Sequence, residues 1–277
     1  MAARPILIAQ ISDLHITRPG ALAYGRVDTA AALLRTISTL NKLSPRPDLV
    51  VISGDIADSA LPEEYAHATK LLGALQVPFV AIPGNHDRRA LVRETFPDPT
   101  YGTADCPLNT VRRIGGLDIF LIDSTVAGAA HGELDASTLS WLDETLGAST
   151  TRPALLFLHH PPFDTGIAYT DPTGSETPTG LPQFLVDISA CCWWRQDMFI
   201  VRRKLCSRAF RPGGRAGGYP RIRTMLAGGF QNQASSLHLH AWLPGPGFGS
   251  VVTHLVPVGE FPGPYSYGYA ETTPPPL

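Results

Sequence analysis

A chain of 277 residues, 44% of them apolar and 17% charged, can bury one substantial core and is too apolar to be disordered. Four cysteines are too few and too unevenly spaced for a disulfide framework, so reduced thiols and a cytoplasmic setting are expected. Residues 1–5 carry a single Arg, and the apolar run after them is too short for a signal-peptide core or a membrane span.

Over the first 160 residues short apolar runs alternate with helix-like segments, which argues for strands buried in a layered α/β fold. Ile6–Ile11 reads as a strand and runs into Asp13-Leu14-His15, whose spacing can aim a carboxylate and an imidazole at one ion. Thr29–Lys42 reads as a helix. The next strand, Leu49–Ser53, ends in Gly54-Asp55-Ile56-Ala57-Asp58, where the glycine lets the backbone turn close to an ion and Asp55 is placed to bridge two metals. After a helix over Glu63–Leu75, the strand Phe79–Ile82 leads to Gly84-Asn85-His86-Asp87: a neutral oxygen ligand, a proton donor, and a carboxylate able to orient that histidine. Ile119–Ile122 reads as a strand and Ser137–Leu146 as a helix, with Asp135 or Ser137 as its cap. Ala154–Leu158 is a further strand, closing on His159-His160-Pro161-Pro162. Adjacent histidines on a strand face opposite ways, so one of the two coordinates.

Each cluster alone has a plain reading as polar turn residues. Together they fall at strand ends, where ligands gather in such sheets. Their residue types, Asp13, His15, Asp55, Asp58, Asn85, His86 and Asp87, are the set a two-metal phosphoesterase needs.

With these motifs in this order the chain resembles the calcineurin-like metallophosphoesterase superfamily, and within it the bacterial class III 3',5'-cyclic-nucleotide phosphodiesterases. The resemblance covers about residues 5–170 and resumes at LHLHAWLPG and VVTHLVPVGEFPGPY, which look like that family's closing strands and tail. It implies a four-layer α/β/β/α sandwich over residues 1–260 and hydrolysis of cyclic nucleotides such as cAMP, or of related diesters. It also implies two metal ions of the Mn, Fe or Zn type, with Asp13, His15 and Asp55 on one and Asp55, Asn85 and His159 on the other. His86 would act over the substrate phosphate, and Asp58, Asp87 and His160 would stand behind the ligands. Homodimers, which family members often form, belong to the same implication.

One departure is plain: the G-H-x-H loop expected after HHPP is absent, and the nearest look-alike, Leu205–Pro212, has Arg208 and Phe210 in the histidine positions. An arginine cannot ligate a cation, so the alternative is a catalytically impaired or inactive homologue, its second metal site compromised, that binds a single metal or a phosphate ligand. The net charge of −2 also hides a basic window: residues 191–226 hold nine Lys/Arg against Asp197, leaving 13 basic and 23 acidic residues elsewhere, or −10. No groove-reading motif accompanies that window, so a nucleic-acid partner is not expected. Residues 172–234 are expected to be irregular and read as shifted out of the ancestral frame, with divergence into a basic insert or cap as the alternative. His238-Leu239-His240 has the spacing of the missing pair, but both side chains would share one face of a later strand. His67, His131 and His254 read as ordinary structural positions, and Phe261–Leu277 as a Pro-rich extended tail.

Overall fold

The computed structural model describes residues 4–103, 106–148, 152–160, 175–176, 198–201, 236–245 and 249–258. In chain order the elements begin with β1 (Ile6–Ile11), α1 (Thr29–Lys42), β2 (Leu49–Ser53), α2 (Pro62–Leu72), β3 (Phe79–Ile82) and α3 (Arg89–Thr95). Then come β4 (Thr110–Ile114), β5 (Leu117–Ile122), β6 (Gly132–Glu133), α4 (Ala136–Ala148) and β7 (Ala154–Leu158). The last are β8 (Ser175–Glu176), β9 (Met198–Val201), β10 (Ser236–Leu243) and β11 (Ser250–Pro257). One sheet has the order β11-β10-β1-β2-β3, parallel from β1 to β3 and antiparallel beyond; the other runs β4-β5-β7-β9 with β5 and β7 parallel. β6 and β8 form a two-stranded ribbon.

Strand alternation builds the layers. Ile6, Ile8, Leu49, Val51, Val80 and Ile82 point from the first sheet toward Leu117, Ile119, Leu121, Leu155 and Phe157 of the second. The opposite face of the first sheet, including Ala9, Ile11, Val50, Ile52 and Ala81, packs on Leu33, Ile37 and Leu40 of α1, Tyr65, Ala68 and Leu72 of α2, and Val92 of α3. Phe120, Ile122, Leu156 and Leu158 on the far side of the second sheet pack on Leu142 and Leu146 of α4. Helix, sheet, sheet, helix is thus the layer order, with apolar burial at each of its three interfaces.

β1, β2, β3, β7 and α1 have the bounds their sequence patterns suggest, and β5 starts two residues earlier, at Leu117. α2 stops at Leu72 instead of Leu75. After Gly73 the amides of Ala74 and Leu75 bond three residues back, to Leu71 and Leu72, so the helix tightens into turns. Asp135 is the cap of α4, accepting the Thr138 amide at 2.7 Å and the Ser137 hydroxyl at 2.9 Å. α3 and β4 have no counterpart in the sequence reading. The stretch expected to be irregular, 172–234, contains β8 and β9; the Met-Phe-Ile-Val run of β9 pairs antiparallel with β7. Its remaining residues, Leu205–Pro212 among them, and the tail Phe261–Leu277 lie outside the described residues. Among the described residues no helix is long and apolar enough to cross a membrane.

Candidate metal centre

Parallel pairing continues past the ends of β1 and β2, and this zips two loops together. Asp13 N donates to the Gly54 carbonyl at 3.1 Å, His15 N to Asp55 at 2.9 Å, Ile16 N to Ile56 at 2.9 Å and Asp58 N to Ile16 at 3.2 Å. The loop after β3 joins through one carboxylate. Asp87 accepts the amides of Ile56, Ala57 and Gly84 at 3.0, 3.1 and 2.9 Å and the Tyr65 hydroxyl at 2.8 Å. Burial and the Asp87 charge push the Tyr65 pKa up, so Tyr65 stays a donor. The second sheet enters through His159, whose Nδ1 lies 2.9 Å from the Ser53 carbonyl.

Two glycines let these segments approach. Gly54, at φ +106, would place a Cβ 2.5 Å from the His159 ring nitrogen, and a Cβ on Gly84 would strike the carboxylate and amide of Asp55. Asp13, His15 and Asp55 themselves adopt positive φ, at 55°, 40° and 51°. Non-glycine residues do so at a cost, and such strain gathers at functional sites.

The converging donors form two groups that share Asp55: Asp13, Asp55 and His159, and His15, Asp55 and His86, with ligand atoms in each within 4.8 Å of one another. Asn85 Oδ1 stands 3.1 Å from His159 Nε2. Asp55 is common to both groups, and the other residues are gathered otherwise than the resemblance implies: His159 lies with Asp13, and His15 with His86. Asp58 lies behind two of them. Its Oδ1 is 3.4 Å from His15 Nδ1, and its carbonyl accepts from His86 Nδ1 at 2.7 Å. Asp87 does not orient His86, as its sequence neighbourhood suggests; its oxygens are taken by main-chain amides, and the Asp58 carbonyl does that work. His160 turns away from His159, their rings 4.8 Å apart and nearly perpendicular, and pairs with Ser124 Oγ at 2.8 Å. Burial and the neighbouring His159 depress its pKa to about 3.

The donor set calls for positive charge. A carbonyl oxygen only accepts, so His159 carries a proton on Nδ1 toward Ser53, and its Nε2 faces Asn85 Oδ1 and, 3.5 Å away, Asp55 Oδ2. With a neutral imidazole these are three acceptors facing one another, which repel unless a second proton on Nε2 or a cation lies among them. Burial works against charge on Asp55, yet His159, the His86 amide at 2.9 Å and the charge of His15 outweigh it and hold the carboxyl far below its ordinary pKa. A carboxylate that stays ionised, imidazoles and an amide oxygen suit a divalent metal.

Sequence reasoning missed the residues that hold the loops. Tyr65 has no local signature, being known only by its contact with Asp87. Glu64, 3% exposed, accepts the Ser59 and Leu61 amides before α2, and the Pro62-Glu63-Glu64 helix start was the available signal. His67 donates to the Thr17 carbonyl at 2.8 Å, a structural position as expected.

Stacked sheets flanked by helices, with an acidic and histidine-rich cluster at the strand ends, define a metal-dependent hydrolase. The chain belongs to the calcineurin-like phosphoesterase family, which matches residues 6–188. It is 30% identical over 269 residues to a protein of Arcobacter nitrofigilis named as a probable glycerophosphodiester phosphodiesterase, covering 95% of this chain and 97% of that one. A glycerophosphodiester phosphodiesterase of Enterobacter lignolyticus is 39% identical over 62% of this chain and 62% of its own. A cAMP/cGMP dual specificity phosphodiesterase of Mycobacterium tuberculosis is 38% identical over 57% of this chain and 50% of its own.

Proposed function

We propose that the chain hydrolyses small phosphodiesters using two divalent cations held by Asp13, His15, Asp55, Asn85 and His159, with Asp55 shared and His86 acting on the substrate. What carries this reading is the meeting of two donor groups at Asp55. Bound cations supply polarisation of the phosphoryl oxygens and a water of lowered pKa. In the reaction the water oxygen forms a bond to phosphorus, the opposite P–O ester bond breaks, and the departing oxygen takes up a proton. His86 either stabilises the charge on the phosphoryl group or supplies that proton. Because its Nδ1 is held by the Asp58 carbonyl, Nε2 is the nitrogen left to face the substrate. Asp87 keeps the loops in register so that Asn85 and His86 meet Asp55.

A cyclic nucleotide such as cAMP is the substrate suggested by sequence resemblance, and the relatives named for glycerophosphodiesters widen the class to small diesters in general. A cytoplasmic setting and a homodimer accompany this reading. Residues 172–234 bear on it because the G-H-x-H pair is missing there. The Arcobacter match takes in most of that segment whereas the other two cover about 60% of the chain. Translating the encoding DNA in its other two frames tests the frame shift: a G-H-x-H in one of them supports it.

The test of function is metal content and turnover together. The full chain loaded with Mn2+ should hold close to two ions and cleave bis(4-nitrophenyl) phosphate; cAMP and glycerophosphoethanolamine, assayed side by side, then assign the diester. A chain that binds no Mn2+ and cleaves none of the three overturns the proposal.

A further inference from the structure

The layer between the two sheets is apolar along most of its length, but below the metal centre it holds Gln10, Ser53 and His240, exposed by 2%, 0% and 0%. Alternation places Gln10 and Ser53 on the same face as Ile8 and Val51, and β10 sets His240 opposite Ile8. Buried polar groups are costly unless each finds a partner. Here they find one another. Thr253 Oγ1 lies 2.9 Å from His240 Nδ1, His240 Nε2 lies 3.1 Å from Gln10 Oε1, and Gln10 Nε2 donates to Ser53 Oγ at 2.8 Å. An amide oxygen only accepts, so His240 carries its proton on Nε2 and takes the Thr253 hydroxyl proton on Nδ1. Donation therefore runs one way, from Thr253 through His240 and Gln10 to Ser53, and aligned hydrogen bonds of this kind polarise and stiffen one another.

Ser53 is the end of β2, and its carbonyl accepts His159 Nδ1–H at 2.9 Å. His240 also meets the strand that carries His159, its ring edge-on to Phe157 of β7 at 5.7 Å, two residues before His159. Apolar side chains of similar shape could fill such a layer without loss of stability. A polar row spanning β11, β10, β1 and β2 that ends on the residue orienting a candidate metal ligand has a use beyond filling.

We propose that His240 and Gln10 are positioning residues for His159: they fix Ser53, whose carbonyl sets the tautomer and ring direction with which His159 meets a metal ion. This rests on the reading of His159 as a ligand. It also gives the closing hairpin β10–β11 a part in the site, although none of its three histidines, His238, His240 and His254, joins either donor group.

The test uses the full chain with His240→Phe and Gln10→Leu as separate variants, and His240→Gln as the conservative one, since a glutamine amide can still donate to Gln10. Mn2+ affinity is read by the EPR signal of free Mn2+, and His159 by its imidazole NMR resonances in the metal-free protein. His240→Phe and Gln10→Leu should each weaken one Mn2+ site by about 10-fold, at the low end of what partners outside the ligand shell contribute, and should shift or broaden the His159 Nδ1–H signal. His240→Gln should restore both. If either apolar variant does not fold, the other gives the reading. Mn2+ affinity within about twofold of the parent and an unmoved His159 signal, whatever the melting temperature, would overturn the proposal and leave the row as packing. A parent chain that binds no Mn2+ defeats the functional reading as well, whereas a parent that binds Mn2+ and cleaves diesters while the variants match it defeats this inference alone.

Discussion

The ends of β2 and β5 look alike in sequence, each a buried apolar strand running into an aspartate, yet Asp55 and Asp123 sit in opposite chemical states. Asp123 is saturated. It accepts Arg89 Nε at 2.6 Å, the Leu108 and Thr125 amides at 2.9 Å each and the Thr125 hydroxyl at 2.6 Å. Asp55 accepts the His86 amide and otherwise faces the imidazoles of His15 and His159 at 3.6 and 3.5 Å. The lesson is that a buried carboxylate given all its donors by the fold is holding the fold, and one left with fewer is free for the cation that the proposed function assigns to Asp55. Arg89 marks the difference as well as the acids do: reaching over from α3, it gives Asp123 a full positive charge, and no arginine or lysine does the same for Asp55 among the described residues.

Exchanging Asp55 for Asn should give the largest effect. It removes the oxygen shared by both donor groups, so kcat/KM on bis(4-nitrophenyl) phosphate should fall by more than about 10^3-fold, beyond the 10–100-fold typical of residues behind the ligands. Asp123→Ala should do the reverse. It strands Arg89 and two buried amides, and unfolding free energy should drop by about 3 kcal/mol in urea titrations, while Mn2+ affinity of the folded fraction stays near the parent's. Loss of metal from the Asp123 variant at unchanged stability would break the comparison.

The strands were legible because continuous apolar runs such as LVVIS and ALLFL are buried on both faces, and that burial is written in composition, whereas the layer order came with the family resemblance. The ligand clusters were legible for the related reason that Asp13, Asp55, Asn85 and His159 each follow such a run closely. What the sequence did not disclose depends on contacts between distant residues. Nothing local tells Asp87 to take three amides instead of the His86 ring, or tells Gln10 that a histidine 230 positions later will face it. α3 escaped because seven residues are too few for a helical period to stand out.

His160 offers a pH test between the first two effects and the last. Its folded pKa of about 3 lies below the ordinary 6.5, so the unfolded chain binds a proton that the folded chain refuses. The resulting stability is fully present above pH 6.5 and is lost as pH falls toward 3, at about 1.4 kcal/mol per pH unit from this group. His160→Asn keeps a side chain able to pair with Ser124 but cannot titrate. Urea midpoints of the parent should decline more steeply than those of the variant between pH 6 and pH 4; parallel declines would mean His160 is protonated in the fold.

Asp135 completes the scale as a carboxylate given its donors at the surface instead of in the core. It caps α4 through the Thr138 amide and the Ser137 hydroxyl, and those bonds outweigh its slight burial and keep its pKa low. Removing it leaves an exposed helix end that water can satisfy, so Asp135→Ala should cost about 1 kcal/mol and leave Mn2+ binding and diester cleavage unchanged. The sign is again set by the acid: the contribution is present above the ordinary carboxylate pKa and fades as pH falls below it, so parent and variant should converge in acid. An effect on turnover from this site would mean that α4 and the second sheet transmit more to the metal centre than the contacts of His159 with Ser53, Asn85 and Asp55 allow.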